Sequence, residues 1–270
     1  MNFLDYKETQ IAYNEEGKGP AVVLLHGFLE SQSFFQRLVL DLKSNFRCVS
    51  IDLLGHGGTG NLGYIHTMED MADAVYAVLH ELKLRKVVFI GHSMGGYVAL
   101  AFADLYPDMV KGLCLLNSTS RADSKARKVS RDRAIRQIKT NHKTFIRLAI
   151  PQLFRAKNRV QFREEINQLK KEALACTVQG IIAALEGMKI REDREILLHF
   201  GPYPKLLITG KKDNILPFEQ QVEQTQKNKV DLDILPDGHM SLIENYQETL
   251  FSIQRFLKHC QEAKETDYLN

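Results

Sequence analysis

The chain has 270 residues, 44% of them apolar, and a formal charge of +3 at pH 7. This length and composition suffice for one large domain or two small ones with a sizeable core, and so small a charge does not by itself indicate a nucleic-acid partner. No basic stretch followed by an apolar run opens the sequence, and no run of about eighteen apolar residues occurs, so we expect neither a secretory signal nor a membrane span.

Strand and helix signals alternate over the first 120 residues. Apolar runs separated by turn sequences predict strands over residues 9–15, 21–25, 46–51, 86–90 and 110–116. Apolar residues at helical spacing predict helices over residues 33–42 and 68–82 and directly after Ser93. Units of this kind indicate a mostly parallel sheet with helices on both faces.

The alternation stops near residue 120, and residues 121–199 show only helical spacing. Strand patterns return over residues 204–209 and 230–235, with a helix between them that starts near Pro217. Ser241-x-x-Glu244 predicts the capped start of a further helix after the last strand. We therefore predict a core of residues 1–120 and 200–270, interrupted by a helical insertion over residues 121–199 that is not an independent domain.

The four cysteines, Cys48, Cys114, Cys176 and Cys260, are scattered and form no Cys-x-x-Cys pair. Cys48 and Cys114 lie in apolar runs that are typical of buried strands. This pattern favours free thiols over a disulfide framework or a metal site. We accordingly expect a cytoplasmic protein with no metal.

Gly91-His-Ser-Met-Gly95 stands between a predicted strand and an apolar helix. A serine on a tight strand-to-helix turn presents its hydroxyl at the end of the sheet, where a substrate can reach it. Glycine suits both ends of this segment, because a side chain there would clash where strand and helix approach closely. The placement predicts that Ser93 is a nucleophile.

A serine hydroxyl is a poor nucleophile unless a base removes its proton. His239 follows the last predicted strand and Asp213 follows the strand before it, which suits them as the base and its carboxylate partner. Asp213 could instead cap the helix near Pro217. Asp237 is too close to His239 in sequence to bond well to its ring. The chain order Ser93, Asp213, His239 is a known order for a serine, carboxylate and histidine triad.

Acyl chemistry at a serine also needs donors for the developing oxyanion. The N–H of Met94 has no partner within its helix, and the N–H of Phe28 lies in the loop after a buried strand, so both are candidates. We interpret His26 as a hydrogen-bonded structural group and expect the His92 side chain to pack beside the turn, away from the site. Asp52 follows another strand and is interpreted as part of a structural turn.

These motifs together resemble those of the α/β-hydrolase superfamily, with matching segments from about residue 20 to residue 240. The resemblance implies an eight-stranded, mostly parallel sheet, a Ser93–Asp213–His239 triad, a helical cap after the sixth strand and no cofactor. Serine in place of aspartate argues against dehalogenase and epoxide hydrolase relatives. Tyr97 stands where the menaquinone-pathway lyases of this fold carry arginine. The chain also lacks the tryptophan usual in cofactor-free haloperoxidase relatives.

The predicted cap is basic at its start: residues 121–163 contain fourteen Lys or Arg and two Asp. Such a run is often only a solvated helical face. Alternatively, it favours an anionic ester or an acidic carrier protein as partner, because charge of one sign concentrates anions. Apolar cap residues could line a pocket or only attach the cap to the core. We expect substrate contacts from Leu29, Tyr97, Phe145, Leu148 and Phe154.

The sequence thus predicts a serine hydrolase that cleaves a small or medium carboxylic ester through an acyl-enzyme intermediate. Two alternatives stay open. The same triad could cleave a carbon–carbon bond or an amide, and the fold could serve a ligand-binding or signalling protein with little turnover. Neither a nucleic acid nor a membrane is expected as a partner.

Overall fold

Eight strands form one sheet in the computed structural model, which describes residues 1–226 and 229–263. They are β1 (Asn2–Tyr6), β2 (Thr9–Glu16), β3 (Ala21–Leu25), β4 (Arg47–Ile51), β5 (Val87–His92), β6 (Val110–Leu116), β7 (Lys205–Gly210) and β8 (Asp231–Leu235). Their order in the sheet is β1-β2-β4-β3-β5-β6-β7-β8. The β1–β2 and β2–β4 pairs are antiparallel and the other pairs are parallel, which confirms the predicted sheet.

The helices of the described residues cover both faces of this sheet. They are α1 (Gln36–Leu42), α2 (Met68–Glu81), α3 (Met94–Leu105), α4 (Lys125–Gln152), α5 (Arg163–Ala175), α6 (Val178–Ile190), α7 (Glu195–Phe200), α8 (Phe218–Glu223), α9 (Ser241–Glu244) and α10 (Tyr246–Glu262), with single 3-10 turns at Gln32–Phe35, Pro107–Met109 and Ala156–Asn158. Val23 and Leu25 of β3 pack with α2 and α3, whereas Val22 and Leu24 pack with α1 and α10. Alternate residues of the central strands therefore pack into two cores, one on each face of the sheet.

A helical insertion, which we define as residues 125–200 and which contains α4 to α7, lies between β6 and β7. Within α4 the backbone leaves helical geometry at Asn141, where φ is −159° and ψ is 85°. Helices α5 and α6 are bent by 99° at the break between them. Among the described residues, no single helix has the length and apolar character to cross a membrane, and α5 with α6 reaches that threshold only as this bent pair.

Close backbone contacts join helix α6 to the loop that follows β4. The His66 N–H donates to the Ala183 carbonyl at 3.0 Å. A Cβ atom on Gly187 would lie 1.7 Å from the His66 carbonyl oxygen, and one on Gly180 would lie 2.5 Å from the Gly55 carbonyl oxygen. Glycine at these two positions therefore sets how closely the insertion approaches the core.

The four cysteines are unpaired. Cys48, Cys114 and Cys260 are buried, whereas Cys176 is half-buried at the end of α5. Burial raises the pKa of the Cys48 thiol and of the Cys260 thiol, each to about 12. Both thiols are therefore protonated at neutral pH and unreactive as nucleophiles.

Candidate active site

Ser93 lies in a strained turn between β5 and α3. Its φ of 48° is in the left-handed region that non-glycine residues rarely adopt. The turn is held on both sides: the Ser93 N–H donates to the Leu116 carbonyl at 3.0 Å, and the Ser118 hydroxyl donates to the Ser93 carbonyl at 2.7 Å. A Cβ atom on Gly95 would lie only 1.9 Å from the Leu25 carbonyl oxygen. Glycine is therefore required where α3 begins beside the end of β3.

A chain of hydrogen bonds joins Ser93, His239 and Asp213. The Ser93 Oγ atom lies 2.9 Å from Nε2 of His239, and Nδ1 of the same ring lies 2.7 Å from Oδ2 of Asp213. Because an ionised carboxylate only accepts, Nδ1 carries the ring proton and Nε2 is free to accept from the serine hydroxyl. The His239 ring can therefore act as a general base toward Ser93.

The Asp213 carboxylate is held in its ionised form. Burial would raise its pKa, but the charge and hydrogen bond of His239 outweigh burial and bring the pKa below its usual value. Its other oxygen accepts the N–H groups of Ile215 and Leu216 at 2.7 and 3.0 Å, which also favour the charged form. These bonds fix the carboxylate on the loop after β7. Asp213 does not cap the helix near Pro217, because α8 has Pro217 itself at its N-cap and no side-chain cap.

Two backbone N–H groups point to an oxyanion site beside Ser93. Among the described residues, neither the N–H of Phe28 nor that of Met94 has a hydrogen-bond acceptor, and Phe28 lines the same cavity as Ser93. The first turn of α3 lies against the loop after β3, because the Cα of Gly95 sits directly over the Leu25 carbonyl. The two predicted donors therefore belong to neighbouring segments, and their joint binding of one oxyanion stays a prediction.

Glu30 and His92 form a buried pair next to this loop, and the sequence analysis did not identify Glu30. The Glu30 Oε2 atom accepts from the Gly27 N–H at 2.6 Å and lies 2.9 Å from Nδ1 of His92. The other ring nitrogen of His92 lies 3.1 Å from the His239 carbonyl oxygen, so it must donate. The pair therefore links the loop after β3 to the backbone of His239.

The protonation of this pair follows from its contacts. Burial disfavours charge on both groups, but their mutual attraction outweighs it: the pKa of Glu30 is lowered and the pKa of His92 is raised. An imidazolium beside an ionised Glu30 satisfies both contacts of the His92 ring, and the two pKa directions favour this arrangement. His92 packs beside the turn as predicted, but its ring reaches the backbone of His239 as well.

His26 and Asp52 have structural partners, in agreement with the sequence analysis. His26 accepts the Leu53 N–H at 3.0 Å, and its other nitrogen lies 2.8 Å from the Gly27 carbonyl. Asp52 accepts the N–H groups of Gln32 and Gly58 at 2.7 and 2.8 Å. Both side chains therefore order the loops that surround the end of the sheet.

The predicted capping box at Ser241 and Glu244 is wrong. Helix α9 has Met240 at its N-cap and no side-chain cap. Glu244 instead accepts from the N–H groups of Arg155 and Gly238, at 2.9 and 3.1 Å. A contact between residues 89 positions apart replaces the local bond that the motif predicts, because the insertion brings Arg155 to this corner.

Asp237 does not contact the His239 ring, as expected from its position. It binds Arg155 at 2.8 Å and Asn245 at 3.0 Å. The backbone of His239 is itself held by the insertion, because its N–H donates to the Leu153 carbonyl at 2.9 Å. The loop after β8 is thus attached to the helical insertion on both sides of the histidine.

Ser93 and His239 open into a cavity of about 540 Å³ between the sheet and the insertion. Three residues predicted to contact a substrate, Leu29, Tyr97 and Phe145, line it. The prediction is wrong for Leu148, whose side chain is 67% exposed on the outer side of α4. Phe154 also lies outside the cavity, since it is fully buried against Phe162. Phe145 and Ala149, one helical turn apart on the second half of α4, face the cavity, and Leu148 lies off that face.

The rest of the lining is mostly apolar, with two arginines that the sequence analysis did not separate from their basic neighbours. Both arginines lie on the first half of α4. Apolar lining residues come from α4, from α6 and from the loop after β7. These lining residues include Arg127, Arg131, Ala134, Ile150, Leu185, Met188 and Ile215. No group of three or more His, Cys, Asp or Glu within the described residues is placed to hold a metal ion.

Comparison with protein families places these features among known proteins. A model described as the alpha/beta hydrolase fold matches residues 20–246. The chain is similar to a thermophilic esterase from Thermogutta terrifontis solved with malate bound, at 30% identity and a TM-score of 0.88, over 93% of this chain and 94% of that one. It is also similar in fold to the enol-lactonase from Burkholderia xenovorans LB400, at 22% identity and a TM-score of 0.87, over 95% of this chain and 100% of that one.

Curated relatives match over a shorter stretch. A putative non-heme haloperoxidase from Mycobacterium phage D29 is 31% identical over 112 residues, which are 41% of this chain and 40% of that protein. The cis-3-alkyl-4-alkyloxetan-2-one decarboxylase from Shewanella oneidensis is 29% identical over 121 residues, 43% of this chain and 38% of that protein. The chain therefore spans less than half the length of these relatives.

Proposed function

The chain belongs to the α/β-hydrolase fold family, and from this premise we propose that it is a serine hydrolase that cleaves a small or medium carboxylic ester. The observation that carries this proposal is the hydrogen-bonded chain Ser93–His239–Asp213, which opens into the cavity. A cavity of this volume suits a small organic substrate.

The first half of the reaction is acylation. Ser93 attacks the ester carbonyl while Nε2 of His239 takes its proton. Asp213 stabilises the imidazolium that results, and the N–H groups of Phe28 and Met94 bind the oxyanion. His239 then gives its proton to the leaving alcohol, which departs and leaves Ser93 acylated.

The second half repeats these steps with water as the nucleophile. The His239 ring, again neutral, removes a proton from water as it attacks the acyl-enzyme. The same two N–H groups bind the second oxyanion, and the returned proton restores the Ser93 hydroxyl as the acid leaves. Every proton passes through one ring nitrogen, so the chemistry needs no group beyond these side chains and the backbone.

The preference for an ester rests on two supports. The esterase from Thermogutta terrifontis is the neighbour with 30% identity over nearly the whole of both chains. The lining is mostly apolar, which favours an acyl chain over a strongly polar peptide. Amide or carbon–carbon cleavage by the same triad, and ligand binding with little turnover, are the alternatives that the test must separate.

Activity on p-nitrophenyl esters of increasing acyl length tests the proposal. The Ser93→Ala variant should lose nearly all turnover, roughly a 10³-fold or greater fall in kcat, because no nucleophile replaces the hydroxyl. Ser118→Ala is the matched control, since it removes a neighbouring hydroxyl that bonds only the Ser93 carbonyl; we expect it to keep most of the activity.

A pre-steady-state measurement separates ester hydrolysis through an acyl-enzyme from ligand binding with little turnover. The proposal predicts a burst of p-nitrophenol equal to the enzyme concentration, followed by slower turnover as the acyl-enzyme is hydrolysed. Equal rates for the wild type and Ser93→Ala would refute the assignment of the nucleophile. Slow hydrolysis without a burst, together with tight retention of the intact ester, would favour a binding protein instead.

A further inference from the structure

The fourteen basic residues of the segment 121–163 include an exposed outer set and an inner set that lines the cavity. Nine of the fourteen are exposed: Lys125, Lys128, Arg133, Arg136, Lys139, Lys143, Arg147, Lys157 and Arg163. Only Arg127 and Arg131 line the cavity that holds Ser93. An acidic carrier protein would meet the outer set, whereas a small anionic substrate would meet these two arginines. The inner pair therefore decides what charge the cavity accepts.

The inner pair belongs to a cluster with more positive than negative charge. Arg131, Arg191 and Arg127 all face the carboxylate of Asp123, whose side chain is fully buried. Arg191 donates to it at 2.6 Å, and the Nε atom of Arg127 lies 3.7 Å away. Burial would raise the pKa of Asp123, but the arginines outweigh it and lower the pKa, so the group is ionised. One negative charge therefore faces three positive charges.

The arginines keep hydrogen-bond donors that the described residues do not use. Arg131 donates to Asp123 through Nε and Nη2, and Arg127 donates to the Ile215 carbonyl through Nη1 at 2.6 Å. Neither Nη1 of Arg131 nor Nη2 of Arg127 has an acceptor among the described residues. A guanidinium group with free N–H donors is well suited to a carboxylate.

Within residues 1–226 and 229–263, no other charge of the cavity wall offsets this surplus. Glu30, the one carboxylate that these residues contribute to the lining, is paired with His92. The cluster also lies close to Ser93: Arg191 stacks on the ring of Tyr97 at 4.0 Å, and Tyr97 stands one helical turn beyond Ser93 on α3. The inner pair and Ser93 also line the same cavity, so one bound molecule can reach both.

We propose that Arg127 and Arg131 form a carboxylate subsite, so that the substrate is an ester whose acyl chain ends in a free carboxylate. This proposal rests on the serine hydrolase function and names its substrate class. The carboxylate takes the free N–H donors of the two arginines and offsets the excess charge around Asp123, while the apolar wall contacts the carbons between the two functional groups.

Two esters of equal chain length test the subsite: mono-p-nitrophenyl adipate, which carries a carboxylate, and p-nitrophenyl hexanoate, which does not. The wild type should have a KM for the adipate at least about tenfold below that for the hexanoate, because a charge-assisted pair contributes to binding. The spontaneous rate of each ester is measured with Ser93→Ala and subtracted.

The Arg131→Met variant should raise the KM for the adipate about tenfold relative to the KM for the hexanoate, because only the adipate loses a charged partner. Arg127→Met, at a more exposed position, should act in the same direction and serves if Arg131→Met unfolds. The matched control is Arg136→Met, which removes the same charge from the exposed side of the same helix and should change neither ester by more than about twofold.

The outcomes separate the two proposals. Equal KM values for the two esters in the wild type, or an equal loss for both esters in Arg131→Met, would overturn the subsite and leave the hydrolase function intact. An equal loss from Arg136→Met would also overturn it, since the effect would then come from the overall field of the helix. Failure to hydrolyse either ester in a Ser93-dependent way would instead remove the serine hydrolase proposal.

Discussion

Glu30 and His92 occupy a position where a small change would reach two parts of the active site at once. Their ion pair binds the Gly27 N–H on one side and the His239 carbonyl on the other. The Ser93 hydroxyl is bonded to His239 and to neither of these groups, and the His92 and His239 ring centres lie 5.2 Å apart. We therefore regard both as positioning residues, which fix the loop after β3 and the backbone of His239 relative to each other.

The His92→Gln variant tests this role. It removes a positive charge and one of the two hydrogen bonds, so we expect kcat to fall about tenfold, equivalent to roughly 1.4 kcal/mol, with little change in KM. The positive charge of His92 opposes protonation of the neighbouring active site. Its removal should therefore move the acid-side fall of kcat/KM to higher pH, even with the negative groups Glu30 and Asp213 still present.

A matched control distinguishes positioning from simple loss of stability. His66 is another buried histidine, bonded to the Leu54 carbonyl and the Leu62 N–H away from the cavity. His66→Gln should lower the unfolding midpoint without shifting the pH profile. An unchanged profile in His92→Gln would show that the pair acts only through stability.

The residues of the triad could be placed from sequence because each stands directly after a predicted strand, and parallel strands end at one edge of the sheet. Glu30 could not be found in this way. It follows a loop, carries no motif, and gains its role only when folding brings His92 to within 2.9 Å. Likewise, the sequence marks fourteen basic residues but not the two that face inward, because that depends on how α4 is rotated against the core.

At the scale of secondary structure, the contact between α6 and the loop after β4 yields a prediction about stability. Gly187→Ala should destabilise the fold by about 1–3 kcal/mol, because the added methyl group would collide with the His66 carbonyl, although alanine is normally the better helix former by about 1 kcal/mol. Urea unfolding measures the change.

Ile190→Ala provides the comparison for this substitution, since Ile190 ends the same helix and is 51% exposed. It should change the free energy of unfolding by no more than about 0.5 kcal/mol. A Gly187→Ala protein as stable as the wild type would show that the insertion can move away from the core at little cost.

Seven of the eight strands, all but β1, were predicted to within about two residues because each is a short run bounded by turn residues, which leaves little choice of boundary. Helix interruptions were not predicted. The irregular backbone at Asn141 and the break between α5 and α6 lie in stretches whose apolar spacing continues across them. Such bends are set by what the helices pack against, and the missed contact of Glu244 with Arg155 has the same origin.

For the whole molecule, three buried carboxylates with lowered pKa predict sensitivity to acid. Glu30, Asp123 and Asp213 stabilise the fold as anions above the unfolded-state pKa of about 4, and this stability is lost as the pH falls through their lower folded-state values. The raised pKa of His92 acts oppositely, since its contribution is lost as the pH rises through the folded value. Urea unfolding free energies should therefore decline as the pH falls from about 5 to about 3.

The double variant Glu30→Gln with His92→Gln isolates one part of this dependence. With one buried carboxylate and its partner removed, the decline toward acid should be shallower, whatever the stability at neutral pH. Parallel curves for the double variant and the wild type would show that Glu30 is not among the groups that take up protons on unfolding.

The hydrogen bond from the His239 N–H to the Leu153 carbonyl has a consequence for chimeric enzymes. Residues 125–200 could be exchanged for the corresponding part of a relative in order to change substrate specificity. Residues 153–158 of that segment, however, hold the backbone of the general base and the buried Glu244. A productive graft would have to keep this short stretch, so only the remainder of the insertion can be exchanged without loss of the general base.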